Sequence, residues 1–312
     1  MDESTVSLLD QVNACHDDDP SSAAAMLRRI DPAALPAERL PGLAFLLNHV
    51  LGEKLGAWPE AHAAFEPLLR AAGAEPPLVL RRQAAAAARL GGDDTAAQGL
   101  RDALAAAAGL PAARAEDVIA LTAASFRVPA LASGDAAQVA SAVTRVFETQ
   151  AWEAANPIDA AVAACANNMA SGLLERPAGD LQHPALRAVV EDTARLAERF
   201  WLRAGNWVHH ERAAYLRAMV ANALGEAAQA RSHAMRALAL LDQHDTADAE
   251  LVDRAFIELE RARACRDLGF GNEAQTSLDH ADALAAAFND AGLDAWFAKR
   301  RAELGTPAAR GG

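Results

Sequence analysis

Gly91, Gly225 and Gly269 share one local pattern: an alanine lies seven residues before each, five after and twelve after. The triples are Ala84, Ala96 and Ala103; Ala218, Ala230 and Ala237; and Ala262, Ala274 and Ala281. None of the other glycines among the chain's 19 carries it. Alanine fills 82 of 312 positions, so chance placement gives only ~0.3 such triples against the three present. The pattern describes two close-packed helices. A glycine permits a tight reversal because it has no Cβ, and small residues on both sides let the helix axes approach. The alanine content acts in the same direction, since alanine loses no side-chain entropy on entering a helix. With a single tyrosine, Tyr215, and no sustained apolar/polar alternation, helix is the only regular structure supported.

Punctuation by Gly, Pro and Asp places helices at about 5–16, 20–30, 40–55, 59–72, 76–90, 94–108 and 113–127. The second half continues at about 135–152, 157–175, 183–204, 207–224, 226–242, 247–268, 272–289 and 291–303. Connections this short force neighbouring helices antiparallel. Pro59 suits a first helical turn, and Asp31-Pro32 reads as a break between hairpins. The segment 305–312 lacks apolar periodicity and is expected to be a disordered tail.

The Gly-centred hairpins resemble the tetratricopeptide repeat, in which a small residue on the first helix, a turn glycine and two small residues on the second recur every 34 residues. Gly56 with Ala61, Phe65 and Leu68 extends the match, and Leu104 and Leu238 fit the family's large apolar position. The resemblance implies an all-α, antiparallel helix-hairpin solenoid, a right-handed superhelical stack forming one array over 1–304. Departures are equally specific. His49 stands where the small first-helix residue belongs, Gly225 to Gly269 spans 44 residues, and the family's first-helix Trp and Tyr are absent. The middle, about 110–206, is irregular and gives no match.

A formal charge of −13 argues against a phosphate backbone as partner, because nucleic-acid binding needs clustered cations. Lysine occurs only at Lys54 and Lys299, the arginine bias expected of GC-rich bacterial coding. The N-terminus lacks the positive segment and apolar run of a secretory signal, and the longest uncharged stretch, Ala160 to Leu174, is too short and polar to span a bilayer. Three widely separated cysteines, Cys15, Cys165 and Cys265, fit reduced thiols. A cytoplasmic protein without a membrane or nucleic-acid partner is expected.

Phe200, Trp201, Trp207 and Tyr215 concentrate four of the 15 aromatic residues within 16 positions, among His209, His210, Glu211 and Arg212. One reading is a bulky plug where a long helix ends at Gly205. Another is a recognition hot spot, since Trp, Tyr and Arg dominate interface energies. A third is a metal or catalytic use of the histidines, but adjacent histidines diverge by about 100° on a helix and no pair has the three- or four-residue step of a zinc site. The run His16-Asp17-Asp18-Asp19 reads as a solvated loop between the first two helices. There is no nucleophile elbow, phosphate loop or dinucleotide fingerprint, so no catalytic residue, metal or cofactor is expected.

The resemblance implies a concave face lined by the first helix of each pair, 13, 10, 6 and 3 residues before each turn glycine. That stripe holds Leu78, Arg81, Ala85 and Ala88; Arg212, Tyr215, Met219 and Asn222; and Phe256, Leu259, Arg263 and Arg266. With Trp207 beside it, the stripe makes Trp207, Arg212, Tyr215, Met219, Asn222, Arg81, Arg263 and Arg266 the candidate partner-binding residues. Its mixed apolar and cationic character suits a protein or peptide bearing hydrophobic side chains and a carboxylate. Against groove use of the arginines, Arg263 with Asp267 and Arg254 with Glu258 have the i,i+4 spacing of solvated pairs. Asn167 and Asn168 are the amide candidates of the middle segment. The expected function is a non-catalytic binding scaffold. A ligand- or peptide-responsive sensor, or an enzyme whose site is assembled between helices, are the alternatives.

Overall fold

The computed structural model describes residues 3–177, 179–244 and 250–304, and among these it is helical with no strand. By their internal contacts the residues fall into two compact units, 1–165 and 166–312. The expected tail at 305–312 and the start of the helix expected from 247 lie outside the described residues.

The first unit carries α1 (Glu3–Cys15), α2 (Pro20–Leu27), α3 (Leu40–Leu46), α4 (Trp58–Ala71), α5 (Leu78–Leu90), α6 (Asp94–Ala108), α7 (Ala112–Arg127) and α8 (Ser133–Arg145). The division falls within α9 (Asp159–Leu174), and the second unit continues with α10 (Pro184–Ala204), α11 (Trp207–Ala223) and α12 (Ala227–His244). It ends with α13 (Leu251–Asp267), α14 (Gly271–Ala285) and α15 (Ala291–Glu303). Side-chain caps start several of these helices: Asp19, Asp93 and Asp290 accept from backbone N–H groups of Ser22, Ala96 and Leu293.

The reversals explain the glycine pattern and correct its register. Gly225 and Gly269 adopt φ of 77° and 81° after α11 and α13, and Gly92, not Gly91, does so after α5 at 79°. In all three turns the glycine N–H bonds back three residues and the next N–H bonds back five, satisfying the helix's last carbonyls: Asp93 to Ala88, Glu226 to Ala221 and Phe270 to Cys265. In the Gly91-Gly92 pair the second glycine takes the left-handed position. Ala85 and Ala88, expected on a concave face, are fully buried, within a run 82–88 that is buried throughout.

The helix expected over 40–55 is α3 followed by a π-helical segment, Leu47–Lys54. His49, where the resemblance expects a small first-helix residue, lies on this π-helical segment. The close contact is made by Gly52, against which the Trp58 ring lies so tightly that a Cβ would come within 2.3 Å of it. The helix expected over 135–152 stops at Arg145 and is followed by 3₁₀ turns at Val146–Glu148 and Gln150–Trp152. Between 110 and 206 no described glycine has positive φ, which is why the middle carries no Gly-centred signal.

In the second unit α11 packs on α12, α12 on α13 and α13 on α14, while α11 also meets α13 and α13 meets α15. The small residues sit at these crossings: Ala218, Ala230, Ala237 and Ala281 are fully buried. Phe256 of α13 anchors α15 through an edge contact with Phe297 at 5.6 Å and a tilted one with Trp296 at 4.2 Å. No helix is long and apolar enough to cross a membrane among the described residues.

Candidate functional site

The second unit contains a cavity of about 980 Å³, and five segments shape it. Tyr215, Met219 and Ala223 come from α11, Phe256, Leu259, Glu260, Arg263 and Arg266 from α13, and Trp296, Lys299, Arg300, Glu303 and Leu304 from the last helix and the residue after it. The end of α9 and the turn that follows close the remaining side with Leu174, Arg176 and Leu181. The wall combines aliphatic and aromatic side chains with five cationic ones, Arg176, Arg263, Arg266, Lys299 and Arg300, in a chain of net charge −13.

Most of those cations are engaged. Arg176 donates to Asp180 at 2.6 Å, and Arg300 donates to Glu260 at 2.7 Å and Glu303 at 2.9 Å. Arg266 donates to the Leu304 carbonyl and to Asp267. Arg263 and Lys299 have no ion-pair partner among the described residues. The i,i+4 pairs expected to hold the arginines do not form, because Asp267 takes Arg266 and Arg254 reaches Asp242 at 2.7 Å. Burial, reinforced by the Glu260 carboxylate, pushes the Tyr215 hydroxyl above its ordinary range, so it stays an O–H donor at neutral pH. A half-buried hydroxyl, a guanidinium and an ammonium therefore line one cavity with no hydrogen-bond or ion-pair partner among the described residues.

Four of the eight candidate residues meet here: Tyr215, Met219, Arg263 and Arg266, together with Phe256 and Leu259 of the same stripe. The other four do not. Asn222 is buried and donates to the Glu260 carbonyl at 2.9 Å and its carboxylate at 2.7 Å, which fits a helix-to-helix tie rather than partner contact. Arg212 is held by Asp253 at 2.7 Å and Glu250 at 3.0 Å. Trp207 stacks on His244 with ring centres 5.5 Å apart. Arg81 lies in the first unit, where its Nε–H donates to the Pro76 carbonyl. Asn167 and Asn168 do not line the cavity.

The aromatic concentration at 200–215 resolves into separate packing duties. Phe200 is fully buried with Arg199 and Arg203 against its ring, and Trp201 lies 4.3 Å from the His209 ring across the Gly205 turn. Only Tyr215 of the four reaches the cavity. Sequence reasoning missed Trp296, Lys299 and Arg300, although their i, i+3, i+4 spacing on an amphipathic last helix was a usable signal. Leu174 and Leu181 carried none, being brought in by irregular chain. No protein-family model matches this chain, and a search of curated proteins finds no significant match.

Proposed function

We propose that this chain is a non-catalytic binding module whose second unit takes a peptide segment presenting an apolar side chain beside a carboxylate. One observation carries the reading: Arg263, Lys299 and the Tyr215 hydroxyl, donors without a hydrogen-bond or ion-pair partner among the described residues, line a cavity of about 980 Å³ together with apolar side chains. A bound carboxylate would gain charge-assisted hydrogen bonds from groups already lacking partners, while Met219, Phe256, Leu259 and Trp296 cover a hydrophobic side chain. Within this proposal the hairpins are tetratricopeptide-like layers of a right-handed solenoid, a reading supported by the identical glycine closures after α5, α11 and α13. The cytoplasmic setting belongs to it too, supported by three free cysteines, two of them buried.

A peptide selected from a displayed library with free C-termini provides the test by fluorescence anisotropy. Amidating its C-terminus, or replacing Arg263 and Lys299 together by alanine, should weaken binding about tenfold or more, in keeping with loss of hydrogen bonds to a charged group. Equal affinity of the double variant and the native protein would remove the proposed site. A second reading, sensing of a small amphipathic acid, draws on the cavity volume, which falls within the ~300–1,000 Å³ of small-molecule sites. A thermal-shift screen with medium-chain carboxylic acids separates it from the peptide reading.

A further inference from the structure

His16, Asp17 and His49 come together in the first unit from two places 32 residues apart: the turn after α1 and the π-helical segment. His16 Nε2 lies 3.4 Å from one oxygen of the Asp17 carboxylate and His49 Nε2 lies 3.3 Å from the other. The opposite nitrogen of each ring is fixed. His16 Nδ1 is 2.8 Å from the Asn13 carbonyl, and His49 Nδ1 is 2.7 Å from the Glu53 carboxylate. Both of those oxygens accept, so each Nδ1 carries a hydrogen, and each Nε2 is directed toward the same carboxylate. The Lys54 ammonium supplies positive charge beside that carboxylate, and with both rings neutral the two Nε2 atoms can ligate a cation in its place.

The spacing has a definite meaning. With metal bonds of about 2.0–2.2 Å, a tetrahedral ion holds neighbouring ligand atoms ~3.3–3.6 Å apart; each imidazole Nε2 stands at such a distance from one Asp17 oxygen, and the three residues' ligand atoms lie within 4.8 Å of one another. The outer contacts are those a metal-binding imidazole uses, a backbone carbonyl on one ring and a carboxylate on the other. Orientation is further set by Phe45, which stacks on His49 at 5.2 Å, and by the edge contact of the two imidazoles at 5.3 Å. His49 and Glu53 both sit on π-helical backbone, a winding less stable than α-helix that recurs at functional sites. We propose that His16, Asp17 and His49 bind a divalent first-row transition ion of the zinc class, with the fourth position open to solvent on the exposed side of Asp17. The ion would tie the end of α1 to the π-helical segment. Lys54, whose Nζ lies 3.0 Å from Asp17, is its built-in competitor.

Cobalt(II), followed by the visible d–d absorption of a tetrahedral ion, and zinc, measured by competition with a chromophoric chelator, provide the test on the full chain freed of any affinity tag. The native protein should take up one equivalent, and His16→Gln with His49→Gln should abolish the cobalt spectrum. Glu53→Gln, which keeps the bulk but weakens the outer hydrogen bond, should reduce zinc affinity about tenfold or more. Lys54→Met should raise it by releasing Asp17. His280→Gln, far along the chain and exposed, should change nothing. Absence of stoichiometric uptake by the native protein overturns the proposal, as does binding that survives in a folded His16→Gln, His49→Gln variant.

Discussion

Asn222 reaches from α11 to α13 and donates from one amide nitrogen to both the backbone carbonyl and the carboxylate of Glu260, at 2.9 and 2.7 Å. The first unit builds the same tie from Asn48, which donates to the Gln83 carbonyl at 3.1 Å and to its side-chain oxygen at 2.6 Å. Gln83 and Glu260 occupy equivalent places, each nine residues before the left-handed glycine that ends its helix, Gly92 and Gly269. All four side chains are buried, so each tie satisfies polar groups that water cannot reach.

Removing the donor should therefore cost more than a surface hydrogen bond. Asn222→Ala leaves a buried carbonyl and carboxylate oxygen short of a partner and should destabilise the protein by about 1–3 kcal/mol in urea denaturation. Asn48→Ala should fall in the same range. A change below the error of the measurement at both sites would show that the ties carry no net stability.

Two glycines should respond in opposite directions to alanine. At Gly205 a Cβ would come within 2.5 Å of the His209 Cβ and 2.7 Å of the Trp201 carbonyl oxygen, and neither is the end of a flexible side chain. Gly205→Ala should destabilise by about 1–3 kcal/mol as the α10–α11 turn is forced apart. Gly99 lies inside α6, exposed, with nothing within 4 Å of the methyl group that alanine would add, so Gly99→Ala should stabilise by about 0.5–1 kcal/mol. Thermal melts of the pair give both signs in one experiment.

The helices and a third of the cavity lining, six of its 18 residues, were legible in the sequence because both depend on local spacing. Tyr215, Met219, Arg263 and Arg266 followed from counting back along a helix from Gly225 and Gly269, and that count survives wherever the backbone is regular α-helix. It did not foresee the π winding over Leu47–Lys54, and at Gly91 a second glycine took the turn. The side of a helix that a residue faces could be read; what it meets there could not. Arg212 and Asn222 lie on the expected stripe, yet Asp253 and Glu260 claim them from the next helix. The His16–His49 pairing was invisible for the same reason, being a contact between distant segments with no shared period.

Glu260 sits at the junction of fold and cavity. Only 4% of its side chain is exposed, and its second carboxylate oxygen accepts from Arg300 on α15. Arg300→Ala would leave a buried carboxylate with only the Asn222 donor, and should cost about 3 kcal/mol and loosen α15. Arg300→Ala combined with Glu260→Gln should recover much of that loss, because the stranded charge is gone. A double-mutant cycle by denaturation measures the coupling, and simple additivity of the two substitutions would show that the pair does not act as one.

Glu211 gives the chain a distinct dependence on pH. It is fully buried on α11, neither carboxyl oxygen receives a hydrogen bond among the described residues, and burial together with the neighbouring Asp253 charge pushes its pKa up to about 8. In the unfolded chain the same group titrates near 4.5. Between those values the folded state holds a proton that the unfolded state has released, so the contribution is complete below about pH 4.5 and is lost as pH rises through 8. The slope is at most about 1.4 kcal/mol per pH unit. Glu211→Gln keeps the shape and cannot ionise, so every other titrating group cancels when the two proteins are compared. Urea denaturation at unit steps from pH 5 to 9 should show the variant gaining on the native protein with each step, and parallel curves would mean that Glu211 is already ionised in the fold.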